Sequence, residues 1–465
     1  MEACSLQFIT AACGGELLNG SLDAQVQRAC TDSRQVQPGD LFFALRGERF
    51  DGHDYTEQVA AKGVAAVVVQ RGHFEHKSLG CAIVAVDDPR KALGQVAARY
   101  RGLFELPIVA VGGSNGKTTT KELIAAVLKQ ERQTLWSEAS FNNDIGVPMT
   151  LLRMDKAHQA AVLEVGTNHP GELAPLVQMI RPNHGVITSV GREHLEFFED
   201  IEGVAREEGW LAELIPSGGK LFVNGDDQWT SRLVDRARAQ VVRVGLEGQN
   251  DWRALGVRVD TQGVRFRVAA PAPDFSGDYR IHLLGRHQVV NALFAIAVGR
   301  ELGLSREAVA RGLEECRPAK MRLELQQVGG FRVLDDAYNA NADSMVAALR
   351  TLRDLPCRGR RVAVLGDMAE LGAHAESAHE EVGRQAAELG VGQLFAVGQM
   401  APVIARAARS AGLNRVLEFA DVIAAAAAVK SFVKAGDLVL VKASRAMRLE
   451  RVVEFLRGSE AGRQN

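Results

Sequence analysis

Short unbroken apolar runs, which suit buried strands, alternate along this chain with stretches whose apolar positions recur every three or four residues, which suit helices. Leu106–Gly112 reads LPIVAVG, and the segment after it, GSNGKTTTKELIAAVL, takes helical spacing in its second half. Strand, glycine-rich loop and helix in that order predict the first unit of a parallel sheet. Further strands are predicted at Ala160–Val165, Gly185–Ser189 and Lys220–Asn224, with a helix near Ile201–Leu214. Residues 241–284 are richer in strand-type runs, and helices are predicted over 288–303 and 305–315. Past Arg317–Lys320 the alternation resumes, with strands at Phe331–Asp335, Arg361–Leu365, Leu394–Val397 and Leu438–Val441. Helices are expected there at Ser344–Arg353 and His379–Leu389, and the alanine run Ala424–Ala428 predicts a packed helix. Ahead of the glycine-rich loop, Asp40–Leu45 and Ala65–Val69 are strand-like among turn signals, and Pro89–Tyr100 is helical.

At 465 residues the chain is too long for one ordinary core. The pattern predicts an α/β protein of three domains, with boundaries near 105 and 317. Residues 1–105 form a small α/β domain. Residues 106–317 form a central parallel-sheet, ATPase-like domain. Residues 318–465 form a doubly wound, Rossmann-like domain. A net charge of −2 gives no electrostatic argument for nucleic acid or membrane surfaces. No apolar run approaches the ~20 residues that span a bilayer, and MEACSLQFITAACGGELL lacks the basic start of a signal peptide, so a cytoplasmic protein is expected. The six cysteines show no C-x-x-C spacing and are read as reduced thiols.

Gly112–Thr119, GGSNGKTT, carries the strongest chemical signal. Backbone N–H groups in a glycine-rich turn at a helix start wrap phosphate oxygens, because no Cβ obstructs them and the helix dipole favours anions. Gly113, Ser114, Asn115, Gly116, Lys117, Thr118 and Thr119 are the expected nucleotide contacts. Lys117 would reach the terminal phosphates and Thr118 would hold Mg²⁺. The full phosphate-loop pattern requires glycine at 111, where Val111 stands, so the loop is a shortened variant. The alternative is an ordinary β–α turn. Glu164, ending a predicted central strand, would point into the ligand crevice as a hard oxygen donor, or else be a structural glutamate. His194 sits at the same edge, as a metal ligand or a packing residue. The acidic stretch Glu193–Glu208 is read as a solvated face.

Several longer motifs, in order, resemble the Mur ligases of peptidoglycan synthesis. They are GGSNGKTT, SFNNDIGVPMTLL (Ser140–Leu152), LEVGTNHPGEL (Leu163–Leu173), ITSVGREHLEFF (Ile187–Phe198), His287–Ala292, KMRLE around Arg322, and DDAYNANADSM (Asp335–Met345). The resemblance runs from about residue 31 to 450. DDAYNANADSM, VLGDMAELG and VKASRAMRLE are closest to the branch that adds a dipeptide, and Thr31–Tyr55 resembles its UDP-sugar domain. The DNPR signature of the diaminopimelate-adding branch is absent. The resemblance implies that ATP, with Mg²⁺, activates the carboxylate of UDP-MurNAc-tripeptide and that D-alanyl-D-alanine takes up the acyl group. A third-residue-adding or folylpolyglutamate-type ligase is the alternative within the family. Outside it stand a small-molecule kinase, which would leave the phosphate on its product, and an ATP-gated binding module without chemistry. A single-chain enzyme is expected.

The resemblance implies roles residue by residue. Lys117, His194 and Arg322 are catalytic. Asn291 contacts adenine, Asp336 contacts ribose, and Arg322 joins the nucleotide contacts. Thr118, Glu164 and His194 serve the metal. Tyr338, Asn339, Asn341 and Ser344 face the dipeptide, and Arg445 a substrate carboxylate. Thr31, Asp32, Ser33, Arg34 and His53 hold the nucleotide-sugar end. Three positions depart from the family pattern: Ala342 replaces proline, Ala443 replaces glycine, and Glu208 stands fourteen residues after His194, where relatives carry a lysine that CO₂ carbamylates. A glutamate supplies the carboxylate directly, so Glu208 is expected at the metal, with Glu207 as the competing candidate.

Overall fold

The structure, a computed structural model, describes residues 1–47, 49–72 and 79–458. It has the three-domain α/β architecture expected. The middle strand of the nine-stranded central sheet, Ile108–Gly112, pairs in parallel with Ala160–Glu164 on one side and His184–Ile187 on the other. All five of its residues are buried, as an unbroken apolar run requires of a strand covered on both faces. Thr134–Trp136 lies outside Ala160–Glu164. Beyond His184–Ile187 come Lys220–Asn224, Gln240–Gly245 and Trp252–Asp260, still parallel, and then Gly263–Ala269 and Gly277–Ile281, antiparallel. The strand-rich stretch 241–284 thus extends the central sheet.

The chain runs from Ile108–Gly112 outward to Thr134–Trp136, returns to Ala160–Glu164, and then crosses to His184–Ile187. Its connections diverge at the middle strand, and a crevice opens there at the carboxyl ends, where open α/β sheets bind ligands. The helices Lys117–Leu128 and Gln288–Glu301 cover one face through Leu123, Ile124, Val127, Val289, Leu293 and Ile296.

The C-terminal sheet has six strands in the order Glu324–Val328, Phe331–Asp335, Leu438–Lys442, Arg361–Gly366, Gln393–Val397 and Val416–Phe419. The first is antiparallel and the rest are parallel, with an apolar cluster on each face. The N-terminal sheet orders Glu16–Asn19, Ala82–Val86, Ala66–Gln70, Leu41–Phe43 and Ala29–Cys30. Helix Pro89–Arg101, capped by Asp88, shares one core with the central domain through Leu93, Val96 and Tyr100, and the Tyr100 hydroxyl donates to the Met154 carbonyl at 2.6 Å.

Each predicted strand and helix is present, with ends moved by a few residues; the helix expected from His379 begins at Ala375. Helices Leu6–Cys13, Ala401–Ser410 and Glu450–Arg457 and the edge strand Val416–Phe419 were not anticipated. All six cysteines are free. Among the described residues no helix is long and apolar enough to cross a membrane.

Candidate active site

A cavity of about 920 Å³ opens at the carboxyl ends of the central strands and is closed over by the C-terminal domain. Ser114–Thr119 form part of its wall. Two glycines make this short loop possible. Gly113 has φ +106°, and a Cβ there would lie 2.5 Å from Thr188 Oγ1; Gly116 has φ +89°, and its Cβ would lie 2.7 Å from Asn291 Oδ1. Lys117 opens the following helix, donates to the Ser114 carbonyl at 3.2 Å and pairs with Glu193 at 3.4 Å. Burial works to lower the Lys117 pKa, but Glu193, Glu208 and Glu164 outweigh it and hold the ammonium charged. A cation, a helix start and open amides therefore converge on one point, which suits phosphate.

Glu164 ends its strand fully inside the protein. Its Oε1 accepts from Asn142 Nδ2 at 2.9 Å, and its Oε2 has no partner. Thr118 Oγ1 lies 3.4 Å from Ser140 Oγ. His194 takes a left-handed conformation, φ +50°, and pairs through Nδ1 with Glu370 of the C-terminal domain. Thr118, Glu164 and His194 all line the cavity.

The acidic stretch Glu193–Glu208 is only in part the solvated face expected of it: Glu196, Glu199 and Glu202 are exposed. Glu193, Glu207 and Glu208 are buried, the last two on helix Ile201–Leu214. Adjacent positions on a helix point about 100° apart, and the two glutamates have separate tasks. Glu207 accepts from the Gly171 and Leu173 amides at 3.0 and 2.8 Å and so holds the start of another helix. Glu208 accepts from the Gly113 amide at 2.7 Å, and its other oxygen is unpartnered. Burial pushes Glu208 up to about 8, against the pull of Lys117. The expectation that Glu208 sits at the metal needs correcting in its immediate contact: the carboxylate stands behind the loop, bonded to its amide, and is not part of the cavity lining.

Among the described residues no three His, Cys, Asp or Glu side chains converge as a ready-made metal cage. The orphaned oxygen of Glu164 and the Thr118 hydroxyl, both in the cavity wall, still fit Mg²⁺, which takes one or two protein oxygens and completes its shell with phosphate and water.

The opposite wall belongs to the C-terminal domain. Arg322 lies between two residues of positive φ, Met321 at +58° and Leu323 at +53°. That linker turns its guanidinium over the Tyr338 ring at 4.2 Å and within 3.3 Å of Ser140 Oγ. Asp336 is buried; one oxygen accepts from the Leu323 amide at 3.0 Å and the other pairs with Lys442 at 2.6 Å. Both its oxygens thus have partners within the fold, although Asp336 lines the cavity. Asn291 lies inside helix Gln288–Glu301, donates to Gln288 at 2.8 Å and faces the loop at Gly116. Tyr338, Asn339, Asn341 and Ser344 line the same cavity. Asn341 and Ser344 form a capping box at the start of helix Ala342–Asp354, and Asn341 Nδ2 reaches Asn115 Oδ1 at 3.1 Å across the cleft.

Other expected residues lie elsewhere. Arg445 is exposed, pairs with Glu450 at 3.0 Å and does not line the cavity, so its expected role at a substrate carboxylate is not supported here. Thr31–Arg34 form a half-buried turn of the N-terminal domain, in which Asp32 and the exposed Arg34 pair with each other. His53 uses both ring nitrogens internally: Nδ1 meets Asp51 at 2.6 Å and Nε2 accepts from the Gln70 amide at 2.9 Å. Sequence reasoning missed Arg192, Glu193, Asp343, Glu370 and Lys442. Only Glu193 carried a signal, its place beside His194.

Three family models match consecutive parts of the chain. They are the Mur ligase family, catalytic domain (residues 26–101), the Mur ligase middle domain (111–299), and the Mur ligase, glutamate ligase domain (321–445). The UDP-N-acetylmuramoyl-tripeptide–D-alanyl-D-alanine ligase of Escherichia coli K12 is 37% identical over 452 residues, covering 95% of this chain and 96% of that one. The crystal structure of MurF from Acinetobacter baumannii superposes with a TM-score of 0.90 at 32% identity, over 98% of this chain and 99% of that one. The MurF ligase from Thermotoga maritima in complex with ADP gives 0.83 at 26% identity, over 94% and 99%. Relatives this similar over nearly the full length, matched on the fold that builds the phosphate loop and its facing wall, show that the chain belongs to the Mur ligase family.

Proposed function

We propose that this protein joins D-alanyl-D-alanine to UDP-N-acetylmuramoyl-tripeptide, using ATP, in peptidoglycan precursor synthesis in the cytoplasm. The observation that carries this reading is one cavity with a phosphate loop on one wall and Tyr338, Asn339 and Asn341 of the C-terminal domain on the other. The names of the relatives matched along the whole chain give the substrates.

A carboxylate is a poor acyl donor because oxide is a poor leaving group. In the first step a tripeptide carboxylate oxygen attacks the γ-phosphorus of ATP, the bond to the β–γ bridging oxygen breaks, and ADP leaves. In the second step the amine nitrogen of D-alanyl-D-alanine attacks the acyl carbon and loses a proton. The carbon–oxygen bond to phosphate breaks, giving amide and inorganic phosphate. The first step demands positioning and charge neutralisation above all. Lys117 and the loop amides neutralise the phosphate oxygens from one side, and Arg322 does so from the other. Thr118 and Glu164, with His194 beside them, would hold Mg²⁺, which supplies further neutralisation of the transferred phosphoryl group. Glu208 fixes the Gly113 amide from behind the loop. Asn291 and Asp336 flank the nucleoside, and Thr31–Arg34 sit at the sugar-nucleotide end. Domain boundaries near 105 and 317 put these groups on separate bodies, and closing them excludes the water that would hydrolyse the acyl phosphate.

Phosphate release from ATP, measured with each substrate omitted in turn, tests the proposal. Release should require both the UDP-sugar tripeptide and D-alanyl-D-alanine, in step with pentapeptide product. Release at full rate without the dipeptide would contradict it.

A further inference from the structure

Gly191–His194, in the segment after strand His184–Ile187, contact both the phosphate loop and the C-terminal domain. Gly191 and Glu193 face the phosphate loop: the Gly191 amide donates to Ser114 Oγ at 2.8 Å, and Glu193 pairs with Lys117 at 3.4 Å. Arg192 and His194 face the C-terminal domain. The Arg192 amide donates to Asp343 Oδ2 at 2.8 Å, and its Nε and Nη2 donate to Asp343 Oδ1 at 2.9 and 2.6 Å. Its Nη1 and Nη2 also reach the Glu381 carboxylate, at 2.5 and 3.3 Å. His194 pairs with Glu370.

Asp343 sits in the first turn of helix Ala342–Asp354, two residues after the cap residue Asn341 that touches Asn115. Holding Asp343 therefore fixes where Tyr338–Asn341 stand relative to the phosphate loop. Arginine suits this position because its planar fork can serve two carboxylates at once, which a lysine ammonium does less well. The same peptide segment answers to the nucleotide side, since a phosphate that draws the Lys117 ammonium changes the pairing of Glu193, the next residue.

We propose that Arg192 is a positioning residue for ligation. By gripping Asp343 and Glu381 it sets the dipeptide-side wall against the phosphate loop, and the Glu193–Lys117 pair links that grip to nucleotide occupancy. The inference rests on the ligase reading above, for which D-alanyl-D-alanine-dependent ligation by the unaltered enzyme is the separate control.

Glu381 makes the test clean, because it lies on helix Ala375–Glu388 and does not line the cavity. Steady-state kinetics of Glu381→Ala, Arg192→Ala, Arg192→Lys and the Arg192→Ala/Glu381→Ala double variant would be combined with solution scattering, with and without an ATP analogue and the UDP-sugar tripeptide. Glu381→Ala should lower kcat/KM for the dipeptide about fivefold while KM for ATP moves less than about twofold, as expected for one arm of a partly exposed charge network at a docking surface. Arg192→Ala should lower it further, and Arg192→Lys should recover part of the loss. The double variant should be no worse than Arg192→Ala, because the two side chains act as one unit. Both alanine variants should compact less than the unaltered protein on binding ligands. Multiplying losses in the double variant, equal effects on ATP and dipeptide, or unchanged dipeptide kinetics with unchanged compaction would each overturn the role of Arg192. If the unaltered enzyme fails to ligate, the reaction assignment falls, and scattering alone still decides whether Arg192 docks the domains.

Discussion

Lys117 is where the chemistry and the fold separate most cleanly. Its ammonium pairs with Glu193 and lines the cavity. Lys117→Ala should keep the fold, by circular dichroism, and lose ligation by on the order of 10³-fold, as when a transition-state charge partner is removed. Near-normal turnover would remove the phosphate-loop assignment. Glu208 yields a pH prediction. The folded protein holds its proton up to about 8, against an ordinary value of 4.5, because the carboxyl is buried. Between those values the folded chain binds a proton that the unfolded chain has released, so this group makes stability fall as pH rises. Glu208→Gln is neutral throughout. Its unfolding temperature, without ligands, should exceed that of the unaltered protein increasingly from pH 5 towards pH 8 and match it near 4.5. A constant difference across that range would contradict the buried-acid account. Because a glutamate needs no carbamylation, ligation should also be indifferent to removal of CO₂, which assays in CO₂-free buffer can check.

The loop Gly113–Thr119, the strand before it and the helix after it were legible as elements because unbroken apolar runs, glycine punctuation and helical spacing are local signals. Helix Glu450–Arg457 was missed because it is short and lies at the end of the C-terminal domain, where tertiary packing of Val452, Val453 and Leu456 stabilises it more than propensity does. The site was legible only in part. Glu164 ends a strand, and Lys117 and His194 lie on the segments that follow strand ends, where topology directs side chains into the crevice, but Lys442 and Glu370 reach it through contacts distant in sequence. Ser344 was expected as a dipeptide contact, yet its hydroxyl closes a capping box with Asn341, accepting from the Asn341 amide at 3.0 Å. Ser344→Ala should cost about 1 kcal/mol of stability through the lost cap. Asn339→Ala should instead raise KM for D-alanyl-D-alanine with little loss of stability. Denaturant unfolding and KM measurements on both variants separate the two roles; a Ser344→Ala protein of full stability would restore it as a ligand contact.

Across the molecule, the phosphate loop and the dipeptide-side wall belong to different domains, joined by the linker that carries Arg322 and by ion pairs across the cleft. Those pairs are partly exposed, so salt should loosen the closed arrangement. Scattering should report a larger radius of gyration at high salt without ligands, and compaction when nucleotide and sugar-peptide bind; an unchanged radius in every condition would count against domain closure. The central claim is that ATP activates the substrate carboxylate, and isotope transfer tests it most directly. With ¹⁸O in both oxygens of the tripeptide's reacting carboxylate, one labelled oxygen should appear in the inorganic phosphate for each pentapeptide formed, as read by mass spectrometry. Phosphate free of label alongside normal product would contradict the acyl phosphate and the mechanism built on it.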